Sequence, residues 1–123
     1  MAGQNLTGIA RMQAAFLNSV KGYKSTWDTE EAFRQEVYLL AIAVPLGLWL
    51  GDNGIDKALL VGSVLLVAIV ELLNTGIEVV VDRISYERHE LSGKAKDIGS
   101  AAVLTALFLA GLTWVLILAP HYF

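Results

Sequence analysis

Cysteine is absent from the 123 residues, which removes disulfides, thiolate nucleophiles and thiolate metal sites. Charged residues are scarce at 17 %, and the nine basic ones form no run of the kind that grips nucleic acid. Nucleic acid is therefore not an expected partner. The opening MAGQNLTGIARM lacks the apolar core of a secretory leader. No G-x-x-x-x-G-K-[ST] loop, kinase glycine-rich loop, H-R-D or D-F-G is present, so the familiar nucleotide signatures are missing. Internal repeats and low-complexity segments are also missing.

What is abundant is apolar surface. Hydrophobic residues make up 55 % of the chain, and mean hydropathy is +0.57, above what a soluble domain carries. Three runs are long enough to cross a bilayer once their flanks are included. The first, over residues 30–51, has Asp28 or Thr29 as its expected cap, Glu30 and Glu31 near its positive end, and a kink expected at Pro45. Gly51-Asp52-Asn53-Gly54 reads as a turn. The second span covers about 56–86, residues 87–96 form a polar connection around Gly93, and the third span covers about 97–119, stopping at Pro120. Its start, Gly99-Ser100-Ala101-Ala102, is small enough for a neighbouring helix to approach closely. Residues 6–27 place Leu6, Ile9, Phe16, Leu17, Val20 and Tyr23 on one helical face and Arg11, Asn18, Lys21 and Ser25 on another, as in a helix lying in the membrane plane.

The fold class expected is therefore an all-α membrane protein: three transmembrane helices and an N-terminal amphipathic surface helix, in one domain over 1–123. Three spans enclose little volume, so self-association is expected. Eight of the nine cations lie at or before the start of the first span (Arg11, Lys21, Lys24 and Arg34) or around the connection of the second and third (Arg83, Arg88, Lys94 and Lys96), leaving only Lys57 by the other loop. The positive-inside rule then puts the N-terminus in the cytoplasm and the C-terminus outside.

The second span carries a polar ladder: Glu71, Asn74, Glu78 and Asp82. At about 100° per residue these positions share one narrow stripe of a helix. A charge at membrane depth costs on the order of 2.5–3.5 kcal/mol on insertion scales and by default marks function. Glu71 lies 13 residues beyond Ala58, roughly 20 Å of helix at about 1.5 Å per residue, which puts it in the inner half of the bilayer. Glu78 and Asp82 follow at the boundary. Glu30 and Glu36 lie at similar depth, and Glu87, His89, Glu90, Lys96 and Asp97 crowd the same layer. Taken singly, Asn74 also fits interhelical glue, His89 a solvated loop residue, and Lys94 and Lys96 an attraction to anionic lipid. Glu71 fits no such role, because a carboxylate inside the apolar boundary requires a proton or a partner. The chemistry legible from the residues is a carboxylate-rich, metal-binding site at the inner surface, suited to moving a polar group onto a lipid.

Three stretches carry a resemblance. EEAFRQE (30–36), VELLNTGIEVVVDRIS (70–85) and HELSGKAKDIGSAAV (89–103) resemble the small prokaryotic diacylglycerol kinases, in order and over essentially the whole chain. The resemblance implies a homotrimer in the bacterial inner membrane with composite sites. The reaction implied is transfer of the γ-phosphate of Mg-ATP to the hydroxyl of diacylglycerol. It implies Glu71 as general base, Glu30 and Glu78 as Mg2+ ligands, and Asn74 as the amide organising them. Arg11, Asn18, Glu87, Arg88, His89, Lys96 and Asp97, with Glu30 and Glu78, fall at nucleotide positions. Arg11, Gln35, Glu36, Glu71, Ser100 and Trp114 fall at lipid-substrate positions. Two departures concern base recognition: Ser85-Tyr86-Glu87-Arg88 replaces a Gly-Ser-Glu-Tyr pattern, and Asn18 stands where an aromatic is usual.

Two alternatives share parts of this pattern. An undecaprenol kinase has the same fold and cluster with a polyprenol acceptor. A small proton-coupled transporter would use Glu71 as its coupling carboxylate, though such proteins bury that group mid-membrane and lack so dense a charged surface layer.

Overall fold

A computed structural model describes residues 5–123, as four helices with no strand among them. The described residues to Glu30 form one compact unit and Glu31–Phe123 a second.

The first unit is helix α1, Gly8–Thr29. The chain enters it through Gly8 at φ 59°, a left-handed conformation that glycine adopts without a Cβ penalty. Ile9, Met12, Phe16, Leu17 and Val20 leave an apolar face exposed on this helix, as an in-plane membrane helix requires. The helix outruns its expected end at 27. Asp28 and Thr29 do not cap the next helix, because both are satisfied inside α1: Lys24 Nζ donates to Asp28 Oδ2 at 2.8 Å, and Thr29 Oγ1 to the Ser25 carbonyl at 2.9 Å. Glu30 is instead the C-cap of α1, its N–H donating to the Thr26 carbonyl.

The second unit holds three helices that are each long and apolar enough to cross a membrane: α2 (Glu31–Leu50), α3 (Gly54–Ile84) and α4 (Glu90–Tyr122). Helix α2 runs through Pro45 without interruption. Gly51 closes the following turn because a Cβ there would lie 2.6 Å from Lys57 Cγ and 2.9 Å from its backbone nitrogen. Asn53 then caps α3, its Oδ1 accepting the Asp56 N–H at 2.9 Å. This starts α3 two residues before the expected 56.

Helix α4 begins at Glu90, seven residues before the expected 97, and carries Pro120 inside its last turn. The reason is a cap: His89 Nδ1 accepts the Leu91 N–H at 3.1 Å. The segment 90–96 is polar because it is helix outside the apolar layer; only residues 85–89 connect α3 to α4.

Helix α3 packs against both α2 and α4. The core is built from small and β-branched residues, Ala43, Val64, Val67, Ala106 and Ala110, with Leu40, Val44, Val70 and Trp114 against it. Small side chains let backbones approach where lipid supplies no hydrophobic drive between helices. Gly47 illustrates this: a Cβ there would lie 3.2 Å from Leu60 Cβ. Trp114 spans the α3–α4 contact and donates its indole N–H to the Leu60 carbonyl at 3.0 Å. Most large apolar side chains point outward, Leu73, Val79, Leu104, Phe108 and Leu116 among them. That is the inverse of a soluble core and the pattern expected of helices facing lipid or further chains.

Candidate active site

At 31 residues α3 is about 46 Å long, against about 30 Å of hydrocarbon, so its last turns leave the apolar layer still helical. The ladder occupies this end. Glu71, Asn74, Glu78 and Asp82 are all half-buried, and each of the other two helices of the unit supplies it with a partner.

From α2 comes Glu36, whose residue is only 6 % exposed despite its carboxylate. It lies close enough to Glu71 for the two charges to interact. Its Oε1 is buried without a hydrogen-bond partner. From α4 comes Gly99, buried directly against Asn74; a Cβ at 99 would overlap Asn74 Oδ1. The Asn74 amide donates from Nδ2 to Glu78 Oε1 at 3.3 Å, while its Oδ1 is buried and accepts nothing. A buried polar atom without a partner costs about 1–3 kcal/mol. Two such acceptors within one carboxylate cluster fit a site completed by a cation, a donor on a substrate or another chain.

One turn further, Lys96 Nζ donates to Asp82 Oδ1 at 2.9 Å and ties α4 to the end of α3. The pair is part-exposed, so it contributes little to stability, about 0–1 kcal/mol. Its larger effect is to hold a lysine at the rim of a pocket of about 460 Å³, lined by Asp82, Ser85, Tyr86, Glu87, Arg88, His89 and Lys96 among others. Glu87 donates its N–H to Ser85 Oγ at 3.0 Å, which shapes the connection.

The residues singled out in the sequence thus fall into three groups. Glu36, Glu71, Asn74 and Glu78 gather at the end of the α2–α3–α4 bundle where α3 finishes, and Glu87, Arg88, His89 and Lys96 line the adjoining pocket. Gln35, Asp97 and Ser100 are exposed on α2 and α4. Arg11, Asn18 and Glu30 belong to the first unit, the first two exposed on α1 and Glu30 half-buried at its end. Trp114 stands apart: it contacts α3 at the level of Leu60, eleven residues before Glu71, or roughly 16 Å along the helix. Sequence reasoning missed the capping role of His89; its signal was an imidazole one residue before Glu90 in the first turn.

Comparison with known proteins decides the family. A family model described as prokaryotic diacylglycerol kinase matches residues 17–118. The chain belongs to that family. Similar proteins include the diacylglycerol kinase of Escherichia coli K12, 50 % identical over 118 residues, covering 96 % of this chain and 97 % of the relative. The diacylglycerol kinase of Haemophilus influenzae is 48 % identical, covering 88 % and 92 %. That of Pseudomonas aeruginosa is 44 % identical, covering 91 % of each. The family match takes in the whole ladder, Gly99 and the pocket, and leaves Arg11 before its start.

Proposed function

We propose that this chain is a lipid kinase transferring the γ-phosphate of ATP to the hydroxyl of diacylglycerol, giving phosphatidic acid and ADP. The observation that carries the reading is the carboxylate ladder at the C-terminal end of α3, opening beside a polar pocket in a chain of this family. An amphiphilic alcohol reaches the ladder from the lipid, and a nucleotide reaches the pocket from water.

Glu71 is the group suited to act as general base, being half-buried beside Glu36 within the apolar boundary. It takes the proton of the lipid hydroxyl as that oxygen bonds to the γ-phosphorus. The bond from γ-phosphorus to the β–γ bridging oxygen breaks, and its electron pair leaves with ADP. Positioning and charge neutralisation supply most of such a transfer. Lys96, steadied by Asp82, supplies a cation at the pocket, with Arg88, His89, Glu87 and Asp97 around the nucleotide. Arg11 and Asn18 on α1 serve the nucleotide, and Arg11 with Gln35, Glu36, Ser100 and Trp114 the lipid.

Mg2+ fits the donors: carboxylate and amide oxygens are the hard ligands it takes, and Asn74 Oδ1 is a buried acceptor with nothing yet to accept. Glu78, oriented by Asn74, and Glu30 would hold the ion, which when bound neutralises phosphate charge. The working form is a homotrimer with shared sites in the inner membrane, N-terminus cytoplasmic and C-terminus periplasmic, each chain contributing a single kinase domain. The distribution of cations, the outward apolar side chains and the two orphan acceptors support this reading.

The test is direct: purified protein in mixed micelles with labelled ATP and either dioleoylglycerol or undecaprenol. Phosphatidic acid formation with the former as preferred acceptor is expected. A preference for the polyprenol overturns the acceptor, and pH-driven flux in liposomes without ATP consumption overturns the kinase.

A further inference from the structure

At the opposite end of the bundle from the ladder, three potential ligands come together from three places in the chain. Asp52 sits in the α2–α3 turn, Asp56 in the first turn of α3 and His121 in the last turn of α4. One ligand atom from each, two carboxylate oxygens and an imidazole nitrogen, lies within 4.8 Å of the other two. We propose that Asp52, Asp56 and His121 form a binding site for a divalent transition-metal ion of the zinc class.

The local structure holds each donor. The α2–α3 turn is closed at Gly51, and the Asn53 cap fixes the backbone of Asp56. His121 places Nε2 3.1 Å from Asp52 Oδ2, and its ring rests edge-on against Tyr122, centroids 6.4 Å apart. Charge favours a cation here. Two carboxylates face the imidazole, and Lys57 is the only Lys or Arg between Arg34 and Arg83, with none after Lys96. The α4 C-terminus adds the negative end of its dipole. Donors bound to one ion at about 2.0–2.2 Å are at most about 4.4 Å apart, so a small movement of exposed side chains closes the set. The imidazole sets the class: nitrogen with oxygen suits zinc, whereas magnesium and calcium take oxygen alone. Three protein ligands leave room for water. Binding would clamp the end of α4 to the α2–α3 turn.

The test uses the full chain in detergent micelles with 15N-labelled imidazoles and excess Mg2+ to occupy the oxygen-only carboxylates. The chain has two histidines, His89 and His121, and His121→Gln assigns the signals. Zinc is expected to shift His121 Nε2 and leave His89 in place, with Asp52→Asn or Asp56→Asn weakening binding at least about tenfold. Circular dichroism of each variant checks that it is folded. A shift at His89 alone, no shift at either, or an unchanged titration in the Asp52→Asn/Asp56→Asn double variant overturns the site. None of these readouts passes through phosphoryl transfer, so the site stands or falls separately from the kinase.

Discussion

Asn74 and Gly99 meet face to face: the amide oxygen of one occupies the space a side chain would need on the other. The Asn74 Nδ2 is simultaneously committed to Glu78 Oε1. The α3–α4 distance at this level and the orientation of the Glu78 carboxylate are therefore set by the same amide.

Gly99→Ala should displace Asn74 and with it Glu78. Overpacking of this kind costs about 1–3 kcal/mol, read as a lower midpoint of thermal inactivation, and activity should fall further than stability. Adding Asn74→Ala should recover the stability but not the activity. Recovery of both would mean the amide is only packing.

Glu71→Gln keeps the shape and removes the proposed base. Lipid-dependent ATP turnover should drop by about 10²–10⁴-fold, with the elution position on gel filtration unchanged. Residual activity above about a hundredth of wild type would assign the proton to another group.

Glu78→Ala and Glu30→Ala should each raise the magnesium concentration at half-maximal rate. A magnesium titration superimposable on wild type would remove that residue from the metal.

Lys96→Met breaks an exposed pair, so its melting temperature should change little, since such pairs are worth about 0–1 kcal/mol. The KM for ATP should rise severalfold while that for diacylglycerol holds. A selective rise for the lipid would contradict the pocket assignment.

Trp114→Phe removes the bond to the Leu60 carbonyl. Interhelical hydrogen bonds in membranes average about 0.6 kcal/mol, so a modest loss of stability is expected. Lower stability with unchanged KM for diacylglycerol assigns the indole to packing; a raised KM puts it in the lipid cleft.

The three spans and the polar ladder were legible because both are periodic signals: long apolar runs, and 3.6-residue spacing of groups that lipid penalises. Cap chemistry was harder to read. Asp28 and Thr29 have the composition of an N-cap, yet Lys24 and the Ser25 carbonyl claim them first and α1 continues. Residues 90–96 look like a loop because their polarity reports contact with water, which a helix projecting beyond the bilayer also has. His89, an imidazole and so an uncommon cap, starts that helix early. The small stretch at Gly99 did announce a close approach, but which side chain it would receive depends on the rotation of α3, which no local pattern states. The convergence of Asp52 and His121 joins positions 69 apart through two spans and is invisible without coordinates.

Helix α3 passes from the Asn53 cap to Ile84 without a proline or a break. A continuous rod of that kind transmits displacement instead of absorbing it. A change in the thickness of the surrounding bilayer, through chain length or sterol-like ordering, is met by tilting of the rod or by local deformation of the lipid, and any tilt moves Glu71, Glu78 and Asp82 together relative to the headgroup plane. With the ladder as the proposed reactive site, turnover would then depend on the mechanical state of the lipid as well as on its chemistry.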